Sequence, residues 1–200
     1  MTFLLWLCLL GAFLELDTTY ALQLMFSRGI VAGPLLGLAM GDIVTGIQIG
    51  LFTELLFIDI NPLGGMLPPS AAICCTISMV FYALHIPVYF AFFFGVMGAI
   101  LFSVCEIAMR KRRSNWLIRQ EQKIRYNPSY VNRVIVRALG MSFIGNFLFV
   151  FIFSLLFGPI FAQIVPLFPE QLQVAGKFAY MAVPWIGLAT LVSAFRLKTR

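Results

Sequence analysis

The 200 residues predict an all-α integral membrane protein: a polytopic helical bundle with broken or re-entrant segments and a cytoplasmic amphipathic basic loop. Three observations carry this. The chain is 61% hydrophobic, 11% charged and has a mean hydropathy of +0.96, where soluble domains are about half apolar and a quarter charged. Its apolar runs are long enough to cross a hydrocarbon core of roughly 30 Å as helices, and the alternating segments of a transmembrane barrel do not appear. Third, nine of the 14 basic residues lie between positions 110 and 137, with Glu121 the one acid among them.

The first apolar block runs from Thr2 to about Glu15. Met1-Thr2-Phe3-Leu4-Leu5-Trp6 lacks the basic start of a secretory signal, so a retained helix is expected. Leu16 to Arg28 mixes Asp17, Thr18, Thr19, Tyr20, Gln23 and Arg28 with apolar residues. It is too polar for an ordinary span and too apolar for a free loop, so a broken or re-entrant segment is predicted. Gly29 to Met40 carries Gly29, Gly33, Gly37 and, just beyond, Gly41. That interval of four makes a smooth stripe on which another backbone can pack closely.

Asp42 stands before the next run and reads as its N-cap. The helix that follows, about Ile43 to Ile58, holds Glu54 amid apolar neighbours, with Gly50 one turn earlier on the same face. This spacing predicts open space beside the carboxylate. Then comes a breaker-rich stretch, Asn61-Pro62-Leu63-Gly64-Gly65-Met66-Leu67-Pro68-Pro69.

Two further helices are expected, Ala71 to Leu84 and Pro87 to Met109, joined near His85. The first, at about 21 Å, is short for a span, as in transporters built on discontinuous helices. The basic segment 110–137, which contains Trp116 and Tyr126, predicts amphipathic interfacial helices broken at Asn127-Pro128. Ala138 to Ile164 and Val174 to Phe195 complete the chain as a hairpin. The chain thus divides into a membrane region 1–109, the basic loop 110–137 and a C-terminal hairpin 138–200. The positive-inside rule puts the loop and the tail, with Arg196, Lys198 and Arg200, in the cytoplasm. A loop facing anionic headgroups accounts for the basic charge better than nucleic acid does.

No nucleophile–base pair, phosphate-cradling loop or metal-ligand spacing can be assembled, so an enzyme is disfavoured and no cofactor is expected. Cys8, Cys74, Cys75 and Cys105 lie in apolar segments and read as small hydrophobes. His85 reads as a junction residue. The chemistry concentrates at Glu54. A carboxylate at membrane depth costs about 2.5 kcal/mol or more and is kept where something polar must be met. Irregular backbone at that depth survives where protein or a wet cavity surrounds it. The groups able to converge are Gln23, Asp42, Gln48, Thr53, Glu54, Asp59 and Asn61. Carboxylates and amides suit a polyhydroxylated ligand, because each pairs with two neighbouring hydroxyls; an ionised site suits a cation equally well.

Arg28-Gly29-Ile30-Val31-Ala32, then Gly41-Asp42-Ile43-Val44-Thr45-Gly46, Gly50-x-x-x-Glu54 and Asn61-x-x-Gly64-Gly65-x-x-Pro68 resemble the membrane IIC component of the mannose/fructose/sorbose phosphotransferase systems. The resemblance covers about residues 20–75; the remainder is similar in layout. It implies a cell (inner) membrane sugar permease subunit that binds a hexose or amino sugar and works in an oligomer with a IID membrane partner. Soluble IIA and IIB subunits would pass phosphate from phosphoenolpyruvate to the sugar. By position it implies a sugar site at Glu54, Asn61, Gln23, Asp59, Gly64 and Gly65. Gln23 stands where the family carries an acid, Pro69 where many members carry aspartate, and the chain is short at its C-terminus. Two readings compete: a non-transporting scaffold or sensor descended from such a permease, and an unrelated ion-coupled carrier using Glu54 and Asp59.

Overall fold

A computed structural model describes residues 2–18, 24–58, 60, 67–126 and 130–198. The described residues form seven α-helices: α1 Thr2–Leu16, α2 Gly29–Met40, α3 Ile43–Phe57, α4 Ala71–Ala83, α5 Val88–Tyr126, α6 Tyr130–Ile164 and α7 Glu170–Lys198. A single 3₁₀ turn, Val165–Leu167, follows α6. Among them α5, α6 and α7 are long and apolar enough to cross a membrane, whereas α1 to α4 are shorter apolar helices.

The turns between helices have local causes. Gly41 ends α2 at φ 80°, where its lack of a Cβ removes the steric cost. Its N–H donates to Leu38 O at 3.2 Å and the Asp42 N–H to Gly37 O at 3.0 Å, which closes α2 with a Schellman motif. His85 does the same for α4 at φ 63°. Its N–H reaches Tyr82 O at 2.9 Å and the Ile86 N–H reaches Phe81 O at 3.3 Å, while Ile86 buries its side chain. His85 is therefore an exposed turn residue, as its place beside Pro87 predicts.

α4 is the centre of the bundle. Every residue from Ala72 to Phe81 is buried, and α1, α2, α3, α5 and α6 all pack on it. A helix apolar on all sides needs such an environment. Its thirteen residues span about 20 Å, too short to cross alone. Around it lies a phenylalanine core. Phe81 meets Phe94, Phe153 and Phe161 at ring-centroid distances of 6.1, 6.0 and 5.9 Å. Phe94 stacks on Phe161 at 3.8 Å. Along α6, Phe149, Phe153, Phe157 and Phe161 form a ladder one turn apart.

The basic segment differs from its sequence expectation. The helix beginning after Pro87 does not stop at Met109: it continues to Tyr126, and α6 starts at Tyr130 rather than Ala138. The basic residues extend two membrane helices instead of forming separate interfacial ones. Arg, Lys, Gln and Glu are good helix formers, so nothing in 110–126 terminates a helix already nucleated upstream. The expected break at Asn127-Pro128 lies outside the described residues. α7 likewise begins at Glu170, not Val174.

Candidate functional site

The site is built on the α2–α3 hairpin. The glycine stripe predicted on α2 meets a second one on α3. A Cβ on Gly46 would lie 2.5 Å from Gly33 O, and one on Gly29 would lie 2.7 Å from Gly50 O. One on Gly33 would run into Gly46 O and stand 2.7 Å from the Gly50 Cα. The two helices therefore touch backbone to backbone, where Cα–H···O=C contacts contribute about 0.5–1 kcal/mol each. This corrects one expectation. The room beside Gly50 is not open to the Glu54 carboxylate, because the Gly29 carbonyl of α2 fills it.

Asp42 holds the hairpin's turn. Its carboxylate accepts from the Thr45 N–H at 3.1 Å and the Thr45 hydroxyl at 2.7 Å. The Tyr82 hydroxyl of α4 donates to it at 2.9 Å. The N-cap reading holds, and Tyr82 adds a tie to the central helix that sequence spacing does not suggest.

Three successive residues of α3 face three different neighbours. Thr53 is fully buried against α4; its hydroxyl donates to Ile49 O at 2.8 Å and lies 3.6 Å from the Cys74 sulfur. Leu55 packs on α7, where a Cβ on Gly187 would come within 2.5 Å of the Leu55 Cβ. Glu54 lies between them, its Cγ 3.3 Å from where a Cβ on Gly29 would be. Arg28 Nη1 approaches Glu54 Oε2 at 3.5 Å, with the Arg28 side chain 62% exposed and that of Glu54 23% exposed. An ion pair this long and this wet contributes about 1 kcal/mol at most. Glu54 Oε1 is buried and accepts from no donor among the described residues.

That unmet acceptor separates Glu54 from the other described polar candidates. Asp42 and Thr53 are fully engaged by caps and carbonyls, and Gln48 is exposed on α3. Gln23, Asp59, Asn61, Gly64 and Gly65 lie outside the described residues.

The end of α1 braces both flanks of this region. Asp17 accepts from the Leu24 N–H at 2.8 Å and the Phe26 N–H at 2.6 Å, bracketing Met25 at φ 65°. A non-glycine residue there is strained and persists because its surroundings hold it. The turn delivers Arg28 to the start of α2. Ser70 caps α4, accepting from the Ile73 N–H at 3.2 Å, and its hydroxyl donates to the buried Glu15 carboxylate. In the sequence Glu15 is legible as a helix end and Asp17 as polar composition. Ser70 before the Ala71 helix was the available signal, being a favoured capping residue.

A profile of the family described as the sorbose-specific IIC component of the phosphotransferase system matches residues 1–199. The chain belongs to this IIC family. The putative N-acetylgalactosamine permease IIC component 2 of Escherichia coli (strain K12) is 31% identical over 103 residues, covering 43% of this chain and 77% of that relative. A solved structure described as a membrane protein superposes with a TM-score of 0.75 at 21% identity, covering 96% of this chain and 77% of the other. The cryo-EM structure of the mannose transporter ManYZ with microcin E492 gives 0.65 at 21% identity, over 97% and 77%. At that identity the two structures carry the fold alone, a bundle of membrane helices. The IIC chain is thus a multi-pass sugar-permease subunit rather than a catalyst, and membership sets aside the unrelated ion-coupled carrier.

Proposed function

We propose that this IIC subunit binds a hexose or amino sugar against Glu54 and carries it inward with a IID membrane partner. IIA and IIB phosphocarriers supply the phosphate, and the assembly is an oligomer. The observation that carries the reading is Glu54 Oε1, a buried acceptor without a donor among the described residues, at the end of α3 beside Arg28. Leaving such an acceptor unmet costs about 1–3 kcal/mol or more for a charged group, which a sugar hydroxyl or an acetamido N–H removes. Asp59, Asn61, Gly64 and Gly65 follow Glu54 within eleven positions and join it as ligand groups in this reading, with Gln23 from the other flank. The N-acetylgalactosamine permease relative favours an amino sugar. Positive-inside charge puts the α5–α6 connection and the C-terminal tail in the cytoplasm.

Reconstitution with IID, IIB and IIA subunits tests this. Sugar uptake should require phosphoenolpyruvate and fall roughly ten- to a hundredfold in Glu54→Ala, the loss of one charge-assisted hydrogen bond. Uptake indifferent to that change would overturn the site. A stable IID complex that binds no hexose or amino sugar would support the scaffold reading instead.

A further inference from the structure

Between the basic ends of α5 and α6 lies a cleft of about 290 Å³. Its two ends differ in chemistry. Arg112 and Arg113 of α5 line one end, opposite Met141 and Ser142 of α6. Met109, Ile144 and Leu148 line the other, apolar end. From Glu106 to Arg113 the groove runs about 10 Å at 1.5 Å per residue. The arginine end is built rather than floppy, since the Arg113 guanidinium donates to the buried Ser142 hydroxyl across the gap. Ser142 in turn donates to Ala138 O at 3.0 Å. Glu106, the one acid in the lining, is neutralised by Arg110 at 2.9 Å. Gly145 lets the walls close, because a Cβ there would lie 2.6 Å from the Met109 sulfur.

We propose that this cleft is a binding site for an anionic phospholipid of the basic, cytoplasmic-side leaflet. The phosphodiester sits on Arg112 and Arg113, and one acyl chain descends past Met109, Ile144 and Leu148. The polarity of the groove matches that of the lipid: guanidinium at the membrane surface, apolar side chains inward. Arginine suits the phosphate because its planar fork donates two parallel hydrogen bonds. Basic pockets between membrane helices on this side bind anionic headgroups by the same physics. The ordered lipid would bridge α5 and α6 where their basic extensions repel each other. The inference holds whichever sugar is carried.

The full-length chain in nanodiscs of phosphatidylcholine doped with phosphatidylglycerol, followed by native mass spectrometry of retained lipid, tests this. Phosphatidylglycerol should be kept over phosphatidylcholine. Arg112→Gln should lower its retention about fivefold, the loss of one basic contact at the surface. Arg112 is exposed, so the fold tolerates the change. Ile144→Ser, at the apolar end, should also lower phosphatidylglycerol retention. Lys111→Gln, exposed on α5 but outside the cleft lining, should leave it unchanged. Equal retention of both lipids would overturn the proposal, as would an equal effect of Lys111→Gln and Arg112→Gln, which would indicate diffuse charge. Displacement of the lipid by inorganic phosphate, with Ile144→Ser silent, would identify a free-phosphate site instead. Loss of the lipid on adding the IID subunit would assign the cleft to that partner.

Discussion

The α2–α3 hairpin and the α5–α6 pair are both antiparallel, and they are held together by opposite means. In the first, glycines bring backbone onto backbone, with Gly33 against Gly46 and Gly29 against Gly50. In the second, rings fill the gap, with Phe102 on Phe149 at 5.1 Å and Phe153 beside Gly98. Lipid tails are as apolar as the side chains, so neither pair gains from hydrophobic burial as it would in water. Close packing and dispersion remain, and the pairs collect them differently. Phenylalanine packing builds long spanning helices with broad, adaptable contact. Glycine packing permits no adjustment, and the helices it joins are too short to cross. What it supplies is placement: Arg28, Gly29 and Glu54 are fixed relative to one another by main-chain contact. The sugar site proposed at Glu54 needs its acid held rigidly, and the bulk of the bundle needs only to be filled.

Substitutions that exchange the two packing modes should break this contrast. Gly33→Leu should have the largest effect, since its Cβ alone already meets the Gly46 carbonyl and the Gly50 backbone. A destabilisation of about 3 kcal/mol or more is expected, read as loss of folded protein in detergent and of sugar binding together. Phe81→Ala leaves a hole among Phe94, Phe153 and Phe161. About 3 kcal/mol of stability should go, while the affinity of protein that stays folded should be nearly unchanged.

Gly41→Ala separates strain from collision. Beyond its own chain neighbours, no described residue stands within 4 Å of the added Cβ, but φ is 80°, so about 1–2 kcal/mol is expected from backbone conformation alone. If Gly41→Ala proved as harmful as a clashing change at Gly33, close approach would not be what the hairpin depends on. Tyr82→Phe is the mildest. It removes one hydrogen bond to Asp42, which Thr45 continues to satisfy, and should lower the melting temperature by the equivalent of about 1 kcal/mol.

Local features were legible in the sequence and distant ones were not. The Asp42 cap depends on residues three apart, the glycine stripe on an interval of four, and Glu54 on its apolar surroundings. Each could be read without knowing the fold. The partner of the stripe could not, although Gly46 and Gly50 carry the same spacing. Without that partner the room beside Gly50 reads as open, where the Gly29 carbonyl stands. The tie from Ser70 to Glu15 joins positions 55 apart, and the Asp17 brace depends on the turn through Met25. Helix ends in the basic segment failed for another reason. Falling hydropathy marked where the membrane should end, and helix propensity continued past it.

The measurement closest to the central claim is equilibrium binding of N-acetylgalactosamine to the detergent-purified IIC–IID complex, by calorimetry, with wild-type and Glu54→Gln. The amide keeps the shape and loses the charge, so affinity should fall about tenfold or more with the melting temperature held within a few degrees. Equal affinity for the two proteins, in a complex that binds the sugar, would mean that the half-buried Glu54 carboxylate does not face the cargo.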